Sequence, residues 1–354
     1  MNTAYSRAGV KAADEMPGLK ALLNHLKPTF DYAPGARPAI DFGYYANVIP
    51  VGPNLGVAIS TDGVGTKILV AEALRKFDTI GIDCVAMNVN DVICVGATPV
   101  SMVDYIAVQT PDDHLLEQLG IGFAEGARQA SISISGGELA QIPEMIRGES
   151  EGAGFDLVGT CIGTVPLDRV LTGKEIKPGD VIVGLRSSGI HSNGFTLARK
   201  VLKDMGQYVP EFRSSAGEEL LKPTLIYVRF ATALLSSGVD VKAFAHITSD
   251  GFLNLSRAEA EVTFELVQLP EPDAVFRVIQ ERGRIAAEDM FLIFNMGIGF
   301  VAVVAEADTS RTIETAAKAG YEASAIGVVT DEPGKRVHLR QHGLVGEAGR
   351  FRPA

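Results

Sequence analysis

Four times in this chain an apolar, strand-like run breaks into a short loop rich in Gly, Ser, Thr and Asp, and most of these loops lead on toward a helical pattern. The loops are Thr61-Asp-Gly-Val-Gly-Thr-Lys67, Ser135-Gly-Gly-Glu138, Ser187-Ser-Gly-Ile-His-Ser-Asn-Gly194 and Ala245-His-Ile-Thr-Ser-Asp-Gly251. Alternating strand and helix with short connections confines the fold to the α/β (α+β) class, with sheets covered by helices. The glycines allow tight turns and let a ligand approach the backbone. Loops at helix starts present N–H groups suited to anions.

With 354 residues, two domains are expected, since single cores stop growing below that length. The pattern resets near Pro166. It divides into an N-terminal segment of 1–55, partly irregular with an amphipathic helix at Met16–Leu26, then domains of 56–166 and 167–354. Helices are read at 78–95 and 112–130. The apolar run Met290–Ala305 is read as buried strand, because it is shorter than the ~20 residues of a membrane-spanning helix and contains Asn295, Gly297 and Gly299. A net charge of -11 argues against nucleic acid or an anionic membrane as partner. Cys84, Cys94 and Cys161 form no C-x-x-C pair, which disfavours a zinc cage or disulfide scaffold and fits a reducing cytosol. The start of the chain shows no apolar leader run, and a cytoplasmic location is expected.

The chemistry concentrates in the loops and in one helix. Asp62 stands at a strand end, where a carboxylate suits a hard divalent cation. Gly63 and Gly65 free the turn, Thr66 adds a hydroxyl and Lys67 a positive charge. The loop lacks Walker A spacing. In the 78–95 helix, positions seven and eight apart put Asp83, Asn90 and Asp91 on one side. Polar groups on so apolar a helix are costly to bury unpaired, and either a metal or a Lys partner removes that cost. Glu138, after Gly136 and Gly137, is a further candidate for a cation cluster with Asp62 and Asp91. In the 187–194 loop, Ser188, Ser192 and Asn193 offer donors and His191 an acid, base or donor. His246 in the last loop gains weight only beside His191.

Taken together and in order, these motifs resemble the phosphoribosylformylglycinamidine cyclo-ligases, also called aminoimidazole ribonucleotide synthetases. Tyr5-Ser-Arg-Ala-Gly-Val10 and Phe294-Asn-Met-Gly-Ile-Gly299 extend the resemblance over essentially the whole chain. It implies two α/β domains, with N-terminal domains pairing into a β-barrel at a homodimer interface. ATP and Mg2+ are implied as cofactors and a phosphoribosyl compound as substrate, with purine ring closure as the reaction. By the same resemblance Asp62, Asp83 and Asp91 hold magnesium and ATP phosphates, and Lys67 and Lys27 contact nucleotide phosphate. Ser188, His191, Ser192 and Asn193 meet the substrate, and His246 polarises it. The chain departs from the family pattern at Leu139 and Gln141, at Ser249-Asp250, and at Leu292, where the family carries Arg. Related alternatives are selenophosphate synthetase, whose reactive N-terminal Cys is missing, and the hydrogenase maturation relative, whose C-terminal Cys is replaced by Ala354. A thiamine-phosphate kinase-like enzyme and a non-catalytic nucleotide-binding paralogue stay open.

Overall fold

The computed structural model describes residues 4–10 and 16–354. Parts of the segment read as irregular, residues 1–3 and 11–15, lie outside the described residues. Two sheets organise the rest. The first is built from β1 (Asn47–Gly52), β2 (Leu55–Gly63), β3 (Thr98–Val108), β4 (Ser133–Gln141) and β5 (Phe155–Val165), in the order β1-β2-β5-β3-β4. β1, inside the segment read as irregular, was not anticipated; it pairs antiparallel with β2.

The N-terminal segment also carries α1 (Ala4–Arg7) and α2 (Pro17–Leu26), the latter with none of its residues buried. β2 leads through a turn to α3 (Ile68–Leu74), which stops where Arg75 takes a left-handed conformation at φ 49°. α4 (Ile80–Cys94) and α5 (Asp113–Ala130) then cover one face of the sheet. The Asp112 carboxylate caps α5 by accepting from the His114 and Leu115 N–H groups. Gly81 lets α4 and α5 cross closely, since a Cβ there would lie 2.3 Å from the Phe123 nitrogen.

All of α4 but one residue is buried. An apolar helix of this kind belongs inside a protein. One side of α4 lies on the first sheet and the other on the second half of the chain. That half holds β6 (Val181–Arg186), α6 (Phe195–Val201), a small hairpin of β7 (Tyr208–Val209) and β8 (Ser214–Ser215), α7 (Ala216–Leu220), α8 (Val228–Ser236) and β9 (Val241–His246). It continues with β10 (Thr263–Leu266), α9 (Ala274–Gly283), α10 (Ala287–Ile293), β11 (Ile298–Val304), α11 (Thr309–Ala319), β12 (Ala323–Thr330), β13 (Val337–Leu339), β14 (Leu344–Glu347) and β15 (Arg350–Pro353). Its eight-stranded mixed sheet runs β15-β14-β13-β10-β12-β6-β11-β9. The fold is therefore the expected mixed α/β. The run Met290–Ala305 differs from its reading. Its first residues finish α10, and only Ile298–Val304 is strand, buried throughout between β6 and β9.

The first sheet is covered on one face only. Ile59, Val103, Tyr105 and Ile162 stand on the other face and are each 40–43% exposed. Ile59 and Ile162 are paired directly across β2 and β5.

Candidate active site

The site grows from the contact of β2 with α4. The Asn88 side chain grips the end of β2 in both directions: its Oδ1 accepts the Asp62 N–H at 3.0 Å, and its Nδ2 donates to the Asp62 carbonyl at 3.1 Å. Asn88 is buried, so this clamp fixes Asp62 against α4, where Asp91 lies three residues on. Asp62 and Asp91 both line a cavity of about 440 Å³ between the two halves. Burial, then the charge of Asp91, pushes the Asp62 carboxyl up to about 6. Asp91 is held from behind by the fully buried His246 at the end of β9, whose Nδ1–H donates to Asp91 Oδ1 at 2.9 Å. In that tautomer His246 Nε2 is a buried acceptor with no partner.

The opposite wall comes from the loop before α6 and the start of that helix. Ser192, Asn193, Gly194 and Thr196 line the cavity together with Gly63, Gly65 and Thr66 from the β2 loop. The Thr66 and Thr196 hydroxyls meet at 3.1 Å across it. Asn193 Oδ1 accepts from Ser249 Oγ at 2.9 Å, which leaves Asn193 Nδ2 buried without a partner. Gly194 has φ 78°, and a Cβ there would lie 2.2 Å from the Phe294 ring. Val64, Met87, Phe195, Thr248, Ser249 and Arg257 complete the lining. Thr248 and Ser249 stood inside a motif. Arg257, eleven residues past His246, carried no sequence signal, because nothing in the spacing shows that the turn folds back toward β2.

Several expected roles are corrected by the geometry. Lys67 and Asp83 are both 0% exposed and form a buried ion pair at 2.9 Å. The Lys67 ammonium also donates to the carbonyls of His191 (3.1 Å) and Lys222 (2.7 Å), so its three donors are spent and none reaches a phosphate. Burial lowers the Lys67 pKa, and Asp83 opposes that shift. Asp83 Oδ1 further accepts the Thr224 N–H and hydroxyl, both at 2.7 Å, and is no metal ligand. The Lys partner, not a metal, resolves the cost of burying Asp83. Asn90 likewise bonds the second half, donating to the Leu225 carbonyl (2.8 Å) and accepting the Tyr227 N–H (2.9 Å), and it lies outside the cavity lining.

Gly136, Gly137 and Glu138 lie inside β4, not in a loop. Asp62, Gly159, Asp104 and Gly137 are in register across four strands and share the inner face. Glu138 pairs with Tyr105 on the outer face, three strand spacings or about 14 Å from β2, and does not join the Asp62–Asp91 pair. Ser188 Oγ donates to the Pro223 carbonyl at 2.6 Å. His191, at φ 59° and 1% exposed, accepts the Ser188 N–H on Nε2. Burial holds its pKa well below the ordinary range, so it stays neutral and braces the loop behind the cavity. Lys27 pairs with Asp41 and sits 4.7 Å above the Phe30 ring, in the N-terminal segment and outside the cavity lining.

The donors fit magnesium. Mg2+ binds through one or two carboxylates plus phosphate oxygens and water, rather than a full protein cage. Two carboxyl groups lining one cavity, Asp62 and Asp91, supply the protein's part of that set. Among the described residues, the one three-ligand cluster, Glu265, Glu332 and His338, lies elsewhere, and Arg340 and Arg336 already neutralise its acids. A second cavity, of about 830 Å³, is lined by Arg199, Lys200 and Lys203. Its two acids are engaged separately, Glu149 by Arg199 and Asp204 by the Gly206 N–H at 3.0 Å, and Lys200 donates to the Ala8 carbonyl.

A carboxylate-lined cleft between two sheet-and-helix halves is the arrangement found here, and the domain models place the chain among the AIR synthase-related proteins. Residues 43–165 match the family model "AIR synthase related protein, N-terminal domain", and residues 177–340 match its C-terminal counterpart. The chain is 45% identical over 340 residues to the phosphoribosylformylglycinamidine cyclo-ligase of Methanothermobacter thermautotrophicus, covering 95% of this chain and 96% of that one. It is 46% identical over 336 residues to that of Thermococcus kodakarensis, covering 94% and 97%. It belongs to the phosphoribosylformylglycinamidine cyclo-ligase family, and the resemblance read from its motifs is borne out. The same fold appears in the thiamine-monophosphate kinase of Stenotrophomonas maltophilia (TM-score 0.59, 19% identity, 90% of this chain and 95% of that one). It appears also in a hydrogenase maturation protein (TM-score 0.58, 19% identity, 81% and 85%). No helix of the described residues is long and apolar enough to cross a membrane.

Proposed function

We infer that this protein catalyses the ATP-dependent closure of formylglycinamidine ribonucleotide to aminoimidazole ribonucleotide. The convergence of Asp62 and Asp91 on a cleft lined by Thr66, Ser192 and Asn193 carries this reading. A magnesium ion held by the two carboxylates would supply neutralising charge for the phosphates of ATP. His246 keeps Asp91 aimed into the cleft, and the Asn88 clamp does the same for Asp62. Thr66, Ser192 and the unpaired Asn193 amide offer donors for phosphate or substrate oxygens.

In the reaction the formyl oxygen takes the terminal phosphoryl group as the bond to ADP breaks. The ribosyl-bearing amidine nitrogen then attacks the activated carbon, the carbon–oxygen bond to phosphate breaks, and a proton is lost as the ring becomes aromatic. Such a reaction asks the protein mainly for positioning and charge neutralisation, which is what this cleft provides. We assign nucleotide binding to 56–166 and substrate binding to 167–354. We place the enzyme in the cytoplasm as a homodimer whose protomers meet through the open face of the first sheet, the β-barrel arrangement the family suggests. The apolar side chains exposed there support it, since contiguous apolar patches mark interaction surfaces.

The test is formation of aminoimidazole ribonucleotide from formylglycinamidine ribonucleotide, with one ADP released per ring. A second test is rescue of a purine auxotroph lacking cyclo-ligase. Nucleotide hydrolysis without ring formation, or turnover that survives Asp62→Ala together with Asp91→Ala, would sink the reading.

A further inference from the structure

The cleft contains two carboxylates, yet the lysine expected to answer phosphate charge is sealed behind it. Of the residues lining the cleft, Arg257 alone carries a positive charge. It ends the turn Gly251–Arg257 that follows β9, and its side chain is 29% exposed. Its one ion-pair partner among the described residues is Asp250, at 3.6 Å and itself mostly exposed. That contact is long, and it leaves the planar fork of donors largely free.

The guanidinium is nevertheless held in place. It lies 5.0 Å from the centroid of the Tyr45 ring. Tyr45 is anchored by its hydroxyl, which donates to the Asn254 carbonyl at 3.0 Å. Asn254 in turn ties the turn together by donating to the carbonyls of Ser249 (2.7 Å) and Gly251 (2.8 Å). Arg257 also lines the same cavity as Asp62 and Asp91. Both Asp91 and Arg257 are near enough to Tyr45 and Cys94 to act on them with opposite sign. Yet no ion pair joins Asp91 to Arg257. An anion bound to a cation at Asp62 and Asp91 would fill the gap between them.

We propose that Arg257 is the catalytic guanidinium that grips the phosphoryl group in transit, opposite the Asp62–Asp91 cation. This rests on the cyclo-ligase reading and adds a residue to it. As the bond from the formyl oxygen to phosphorus forms and the bond to ADP breaks, negative charge spreads over the equatorial phosphoryl oxygens. Arg257 donates hydrogen bonds to them and keeps its own protons throughout. A planar fork suits that geometry better than an ammonium point charge.

The test uses the full-length protein with Arg257→Met and Arg257→Lys. Arg257→Met is expected to lower kcat and kcat/KM together by about 10²–10³-fold, with the KM for ATP within about threefold of wild type. Arg257→Lys recovers little, and added guanidinium ion restores part of the activity of Arg257→Met. A second readout needs no turnover: calorimetry of Mg·ADP with and without aluminium fluoride, a mimic of the phosphoryl group in flight. Wild type binds Mg·ADP more tightly with the mimic, and Arg257→Met loses that gain while keeping its affinity for Mg·ADP alone. A raised KM for formylglycinamidine ribonucleotide with kcat retained would overturn the assignment, because Arg257 would then hold the substrate's own phosphate. Thermal destabilisation of Arg257→Met with no guanidinium rescue and an intact aluminium fluoride gain would also overturn it. Failure of the wild type to form product sinks the cyclo-ligase reading and this assignment with it. Active wild type with unaffected variants sinks this assignment alone.

Discussion

Asp62 is the place where function works against stability, and replacing it by Asn should make the protein more stable while removing its activity. The carboxyl titrates at about 6 in the folded protein against an ordinary 3.8. The folded state therefore holds the proton more tightly than the unfolded chain does. Stability is greatest where Asp62 is protonated and falls as pH rises from 3.8 through 6. Raising the carboxyl to about 6 corresponds to about 3 kcal/mol of lost stability at pH 7.5, about half of that at pH 5 and little at pH 4. Asn keeps the oxygen that accepts the Gly63 N–H at 2.8 Å and carries no charge to bury. In the absence of divalent ions, Asp62→Asn should thus gain about 3 kcal/mol at pH 7.5, roughly half of that at pH 5, and almost nothing at pH 4. Urea denaturation at the three pH values measures it, and calorimetry with Mg·ATP shows the matching loss of binding. A variant less stable at pH 7.5, or a gain that does not change with pH, would refute the account of Asp62 as a desolvated carboxylate awaiting a cation.

Lys67→Met should cost about 3–5 kcal/mol, because it strands Asp83 in the interior. Adding Asp83→Asn should return part of that loss, a coupling that denaturation of the two single variants and the double variant would reveal. Gly194→Ala should lower the melting temperature and the yield of folded protein. It combines φ 78° with a Cβ 2.2 Å from the Phe294 ring, and overpacking alone costs about 1–3 kcal/mol. Ile162→Arg together with Ile59→Asp should convert the proposed homodimer to monomer in sedimentation velocity with far-ultraviolet circular dichroism unchanged. An undisturbed dimer would move the interface elsewhere.

How much of this was legible in the sequence differs from feature to feature. That Asp62 and Asp91 come together on one cleft was readable, because a carboxylate after an apolar strand and another on an apolar helix are each anomalous. The strand-and-helix alternation was readable for the same reason: periodicity is local. β1 was not, since Asn47–Gly52 contains a proline and its pairing depends on β2. Glu138 was misplaced by a single residue of strand phase. A period of two sends neighbours to opposite faces, so its register with Tyr105 takes it away from Asp62 even though Gly137 shares the inner face with Asp104. Arg257 and the Lys222–Thr224 carbonyl and hydroxyl groups were invisible, because they reach the site only through contacts across the two halves.

α4 shows why residue type alone cannot assign a role. Asp83 and Asp91 stand on the same apolar helix, two turns apart, and both face the second half of the chain. Asp83 meets an ammonium, a hydroxyl and a backbone N–H, all within 2.9 Å, and becomes a structural knot between the β2 loop, the 187–194 loop and the 222–224 segment. Asp91 meets one imidazole on one oxygen and a cleft on its other side. The first has one oxygen crowded by these donors and the other sealed in the interior without a partner, so a divalent ion would have to enter a buried, already paired site. The second keeps free valence toward solvent beside another carboxylate. Burial and donor count, rather than the presence of an acid, separate the group that holds the halves together from the group proposed to hold the ion. The two roles are also joined: the knot at Lys67–Asp83 anchors the loops carrying Thr66 and Ser192. A variant that loosens it should therefore widen the cleft and weaken nucleotide binding without touching a single residue that lines it with charge.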